Sequence, residues 1–187
     1  MSRVADIARA LADIGPALTR AAIPYMIIGG LANAMWGRPR ATRDIDITVA
    51  MSSGEMPRLL AILGDRVGRL PDDIEALVAQ SGVLPLFLRG GVRVDFLFTT
   101  NGYQLEAIER AAALEIDGQQ VRFCTAEDLV LHKLVSERTK DREDVVALLR
   151  LRRDRLDRSY LDARVHELAG ILGEPALEAR YLALMDR

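Results

Sequence analysis

Asp44 and Asp46, in the run Arg43-Asp44-Ile45-Asp46-Ile47-Thr48-Val49, are the residues whose spacing first suggests chemistry. Polar and β-branched residues alternate here, so as a strand the run points both carboxylates to one face, roughly 7 Å apart along the backbone. Two like charges so placed repel each other, and a hard cation between or beside them relieves the repulsion. Mg²⁺ on one or two carboxylates plus substrate phosphates is the usual arrangement in phosphoryl-transfer sites. Upstream, Tyr25-Met26-Ile27-Ile28-Gly29-Gly30 is an apolar run that ends in two glycines and opens a short helical segment. With no side chain in the way, backbone N–H groups there can come up against phosphate.

A third acid, Asp95, lies in a run where Val92, Val94, Phe96 and Phe98 alternate with Arg93, Asp95 and Leu97. The alternation puts Asp95 on the face opposite the aromatics, and an acid in so apolar a strand needs solvent or a partner. Either it is exposed or bridged to a base such as Arg93, or it is a third carboxylate beside the Asp44/Asp46 strand. Arg38, Arg40 and Arg43 precede that strand, where a guanidinium fork can grip phosphate bidentately or serve as a partner for the aspartates. Arg43 adjoins Asp44 but points to the other face. Lys133 sits among Val130, Leu131, Leu134 and Val135, so its amine needs an anion or a route to solvent.

Apolar-Gly-Gly at Gly29-Gly30 followed by Asp44-Ile45-Asp46-Ile47 resembles the signature of the polymerase-β-type nucleotidyltransferase superfamily. Arg38-Pro39-Arg40-Ala41-Thr42-Arg43, Leu131-His132-Lys133-Leu134 and the stretch Arg138-Thr139-Lys140-Asp141-Arg142-Glu143-Asp144-Val145 are similar to its small bacterial branch, which includes AbiEii-like toxins. The resemblance implies Mg²⁺-dependent transfer of a nucleotidyl group from an NTP to a hydroxyl of an RNA or protein acceptor, with pyrophosphate released. It implies two metal ions, with Asp44, Asp46 and Asp95 as catalytic residues and metal ligands. Gly29 and Gly30 would hold the triphosphate, with Arg40, Arg43, Lys133 and Lys140 as further nucleotide-binding candidates. Asp141 and Asp144 would shape the pocket, or equally cap a helix and brace Lys133 or Arg138. A tRNA 3′ end or a protein side chain are candidate acceptors, and a cognate antitoxin is a candidate partner. The competing reading is a nucleotide-binding or antitoxin-like module that keeps the fold without turning over.

Half the residues are hydrophobic and 28% are charged, the composition of an ordinary globular chain of 187 residues. The net charge of −2 argues against nucleic-acid binding through bulk charge. The single cysteine, Cys124, excludes an internal disulfide, and no Cys/His spacing reads as a zinc site. No signal peptide and no apolar run of about 18 residues is evident, so a cytoplasmic protein without membrane contact is expected.

Together with the element pattern, the resemblance implies an α/β (α+β) nucleotidyltransferase core, a small mixed β-sheet flanked by helices, over 1–124, and a C-terminal helical part over 125–187 that closes the cleft. Helical spacing covers 3–22 with a break or a second short helix at Gly15-Pro16, and Pro71-Asp72-Asp73 opens another helix. Strands fall at 24–28 and 44–50, and hairpins at 84–98 and 114–123 around Arg89-Gly90-Gly91 and Asp117-Gly118. Residues 103–113 read as helix, as do about 126–137, 141–152, 158–171 and 175–185. His132 and His166 read as structural, Trp36 as core rather than a base-stacking platform, and the arginine-rich run 150–158 as a solvated face.

Overall fold

A computed structural model describes residues 3–136 and 138–185. The chain divides into two compact units, Met1–Leu31 with Ala41–Cys124, and Ala32–Arg40 with Thr125–Arg187.

The first unit is built on a mixed seven-stranded sheet in the order β3-β4-β5-β2-β1-β7-β6. Its strands are β1 (Tyr25–Ile28), β2 (Asp44–Val49), β3 (Val67–Arg69), β4 (Val83–Leu88), β5 (Arg93–Phe98), β6 (Ala112–Ile116) and β7 (Gln119–Phe123). β2 runs parallel to β5 and β1 parallel to β7, while the other neighbours are antiparallel. The period-2 pattern decides the two faces. Ile45, Ile47, Val94, Phe96 and Leu84 are fully buried on one, while Asp44, Asp46, Arg93 and Asp95 occupy the other.

Helix α1 (Arg3–Arg20) buries Ile7, Leu11, Ile14 and Leu18 and packs on β7 and β6. It runs unbroken through Gly15-Pro16, where a break was expected. The residues after Pro16 keep Ala17 and Leu18 in the core, and Gly15 leaves room for the hydroxyl of Tyr25. Burial of that face outweighs the missing proline N–H. α3 (Met56–Leu63), α4 (Ile74–Ser81) and α5 (Gly102–Arg110) complete this unit.

Several boundaries depart from the sequence reading: the helix expected over about 126–137 ends at Leu134, residue 137 lying outside the described residues, and the one expected from 141 begins at Thr139. Pro71 and Asp72 lie ahead of α4 rather than in its first turn. Residues 112 and 113 belong to β6, because pairing with Phe123 and Arg122 overrides the helical propensity of an alanine run. β3, only three residues long with a register shift against β4, carries too little pattern to read from sequence.

In the second unit, α6 (Ala126–Leu134), α7 (Thr139–Arg152), α8 (Arg158–Leu172) and α9 (Ala176–Met185) pack around Leu129, Leu131, Leu148, Leu161, Val165 and Leu177. Thr125 caps α6 by accepting from the Asp128 N–H, and Asp157 caps α8 in the same way. Gly173, at φ 64°, ends α8 in the left-handed region that glycine tolerates. The short α2 (Gly29–Trp36) begins in the first unit and ends in the second. Among the described residues no helix is long and apolar enough to cross a membrane.

Candidate active site

On the polar face of the sheet, β2 lies between β1 and β5, with Asp46 paired to Ile28 on one side and Asp95 on the other, and Asp44 paired to Arg93. Residues paired across strands share a face, so the three aspartates and Arg93 stand together within the first unit. All three carboxylates are half-buried.

The diglycine adjoins this group. Gly29 opens α2 at φ +65°, and a Cβ there would fall on the carboxylate of Asp46. A Cβ on Gly30 would lie 2.6 Å from the Thr42 hydroxyl, which itself donates to Asp44 Oδ1 at 3.1 Å. The glycines therefore bring the first turn of α2, whose N–H groups have no intrahelical acceptors, against the carboxylates. Thr42 was not singled out from the sequence. Its one signal is a hydroxyl two residues ahead of Asp44, too common a pattern to be read.

Arg93 completes the cluster. Its Nε and Nη2 donate to the two oxygens of Asp95, each at 2.9 Å. The hydrogen bonds and charge of Asp95 push the Arg93 pKa up, and the charges of Asp44 and Asp46 add to the shift. Carboxylate oxygens are the ligand type that Mg²⁺ takes. Among the described residues no three His, Cys, Asp or Glu side chains are drawn close enough to hold a metal ion. With Asp95 engaged by Arg93, the guanidinium stands where the shared positive charge is needed.

The second unit holds its own charged cluster. Lys133 Nζ donates to Asp141 at 2.8 Å and to Asp144 at 2.6 Å, all three side chains being buried. Asp144 also receives Arg40 and the amide of fully buried Asn33, each at 3.3 Å. Asp141 receives Ser136 and Arg138, each at 2.7 Å. Burial pushes Asp141 up, but hydrogen bonds from Lys133 and Ser136 and the charges of Lys133 and Arg138 outweigh it and hold its pKa at about 2. Of the partners left open for this ammonium, the structure shows the two carboxylates, which ties α6 to α7.

The other candidates are scattered. Arg43 is exposed and its carbonyl accepts from Arg3, while Lys140 is exposed on the first turn of α7. Trp36 is half-buried under the guanidinium of Arg152, His166 is exposed beside Glu178, and Cys124 is buried.

The profile of the family described as "Nucleotidyltransferase of unknown function (DUF6036)" matches residues 2–181. The chain belongs to this nucleotidyltransferase family. Solved structures agree on the fold. An antigenic nucleotidyltransferase-like protein from Paracoccidioides brasiliensis is 15% identical with a TM-score of 0.56, over 92% of this chain and 90% of that one. A putative nucleotidyltransferase from Thermotoga maritima is 17% identical with a TM-score of 0.53, over 78% and 93%. ANT(2")-Ia, solved in complex with adenylyl-2"-tobramycin, is 19% identical with a TM-score of 0.52, over 94% and 99%. No curated protein matches the sequence. In this nucleotidyltransferase the diglycine, Asp44, Asp46 and Asp95 all belong to the first unit, whereas Lys133, Asp141 and Asp144 belong to the second.

Proposed function

We propose that this chain moves a nucleotidyl group from an NTP to an acceptor hydroxyl, using Mg²⁺ held by Asp44, Asp46 and Asp95. The observation that carries the reading is the placement of the three carboxylates on one sheet face with Asp46 packed against Gly29. The first turn of α2 offers N–H groups to the triphosphate, and the exposed Arg43, just ahead of β2, is a candidate phosphate ligand. The metal, when bound, neutralises phosphate charge and lowers the pKa of the attacking hydroxyl. Asp44 and Asp46 orient the donor, and Asp95 takes the proton of the acceptor hydroxyl. The acceptor oxygen forms a bond to the α-phosphorus as the bond to the pyrophosphate oxygen breaks, and pyrophosphate leaves with that electron pair. The adenylylated product bound to ANT(2")-Ia supports hydroxyl acceptors for this fold. Resemblance to the AbiEii-like branch supports a toxin acting on a tRNA end or a protein beside a cognate antitoxin.

The test is incubation with each α-labelled NTP, Mg²⁺ and total tRNA or protein extract. Label transfer with pyrophosphate release supports the reading, and its absence for every NTP and acceptor overturns it. A second reading is favoured by the clamp of Arg93 on Asp95. If that clamp is permanent, the fold binds nucleotide without turning over, and calorimetry then gives NTP binding with no pyrophosphate.

A further inference from the structure

The carboxylate face does not end at Asp95. Pro85 of β4 is paired with Asp95 and Phe87 with Arg93, and beyond them Arg69 of β3 is paired with Phe87. The Arg69 guanidinium lies over the Phe87 ring, 4.8 Å from its centroid. These side chains, with Pro71, Asp72 and Arg93, line a hollow of about 370 Å³ within the first unit. An aromatic ring and a proline line it, with a guanidinium stacked on the ring; of its two arginines, Arg93 is held by Asp95 and Arg69 is not.

A second hollow in this unit, beside α1, differs in kind. Its Arg66 is paired with Asp13 at 2.9 Å and its Arg89 with Asp65 at 3.6 Å. Arg69 has no ion pair among the described residues and is exposed. An aromatic face bearing a guanidinium stacks planar rings, and a guanidinium with no carboxylate partner recruits phosphate. The volume falls in the range of small-ligand sites.

We propose that this hollow is the acceptor subsite and that it takes a hydroxyl compound carrying both a planar ring and an anionic group, the chemistry of a nucleoside phosphate. The ring lies on Pro85 and on the guanidinium stacked over Phe87, the edge N–H groups of Arg69 face the phosphate, and the hydroxyl is directed to Asp95, the carboxylate paired with Pro85. The inference rests on the nucleotidyl-transfer reading, because it assigns the second substrate of that site.

The test separates the two. The protein, in magnesium buffer, is first saturated with α,β-methylene-ATP so that the donor site is filled, and binding of that analogue is measured by calorimetry. Three probes are then titrated: a 5′-fluorescein RNA dodecamer with a free 3′ hydroxyl, cytidine 5′-monophosphate, and tobramycin. Binding of either nucleotide probe, weakened at least tenfold by Arg69→Glu and fivefold by Phe87→Ala and restored by Arg69→Lys, supports the proposal. The RNA and mononucleotide arms distinguish a polymer end from a free nucleotide as the source. Unchanged melting temperatures confirm that the variants fold. Equal binding by wild type and variants, tighter binding of tobramycin, or no nucleotide binding by a protein that holds the donor analogue overturns the proposal alone. Failure to bind the donor analogue overturns the nucleotidyl-transfer reading, and the acceptor assignment with it.

Discussion

The carboxylate of Asp46 fills the space that a side chain on Gly29 would need. The glycine spares the start of α2 from strain, since its φ of +65° is one that L side chains rarely adopt, and it lets a strand carboxylate stand against the first turn of a helix. Both reasons make this position intolerant of any other residue.

Gly29→Ala should therefore cost stability twice. The left-handed backbone contributes about 1–2 kcal/mol and the displaced Asp46 adds to it. Urea denaturation of Gly29→Ala, Asp46→Ala and the double variant measures the coupling. Recovery in the double variant, about 0.5–3 kcal/mol, is the expected outcome for groups in contact. Strict additivity would mean that the two residues do not compete for space.

Asp46→Asn keeps shape and removes one of three neighbouring negative charges. Its melting temperature should hold or rise, while pyrophosphate release should fall by about 10²-fold or more. A variant that melts early would instead give Asp46 a structural role.

Arg93 neutralises the acidic face in the absence of any other cation, so Arg93→Met should leave three carboxylates facing one another. The variant should melt below wild type in EDTA and regain a few degrees with millimolar Mg²⁺, because binding to the folded state alone stabilises it. Wild type, with its guanidinium in place, should respond less. Equal shifts in the two proteins would remove the case for a shared cation site.

Asp141 ties stability to acid. Its folded pKa of about 2 lies below the ordinary aspartate value of 3.8, so its contribution is fully present above about pH 4 and is lost as pH falls through about 2. The difference corresponds to about 2 kcal/mol. Urea midpoints between pH 5 and pH 2 should fall less steeply in Asp141→Asn than in wild type. At neutral pH, Lys133→Met should destabilise by about 3–5 kcal/mol, since it leaves buried carboxylates without their cation. A neutral effect of that substitution would show that Arg40 and Arg138 suffice to hold Asp144 and Asp141.

The short-range patterns were legible because each rests on local geometry. A period of two carries β2 and β5, and a period near 3.6 carries α1. The same periodicity placed Asp95 opposite the aromatic side chains. It could not choose between a bond to Arg93 and a place beside Asp46, and the structure has both. The partnership of Lys133 with Asp141 and Asp144 was one of two open alternatives, because a helix pattern shows that an amine is buried but not which anion meets it.

By itself, then, the sequence determined which residues are strand, helix and turn over most of the chain, and that acids, glycines and a lysine lie where apolar residues would be expected. Propensity, patterning and capping act over a few residues, so they can be read along the chain. Tertiary structure alone decided that β2 pairs with β5 so that Asp46 meets Asp95, that Asn33 joins Asp144, 111 residues away, and that Arg69 stacks on Phe87. Those contacts depend on strand order and helix packing, which are set by burial summed over the whole core and leave no mark at any one position.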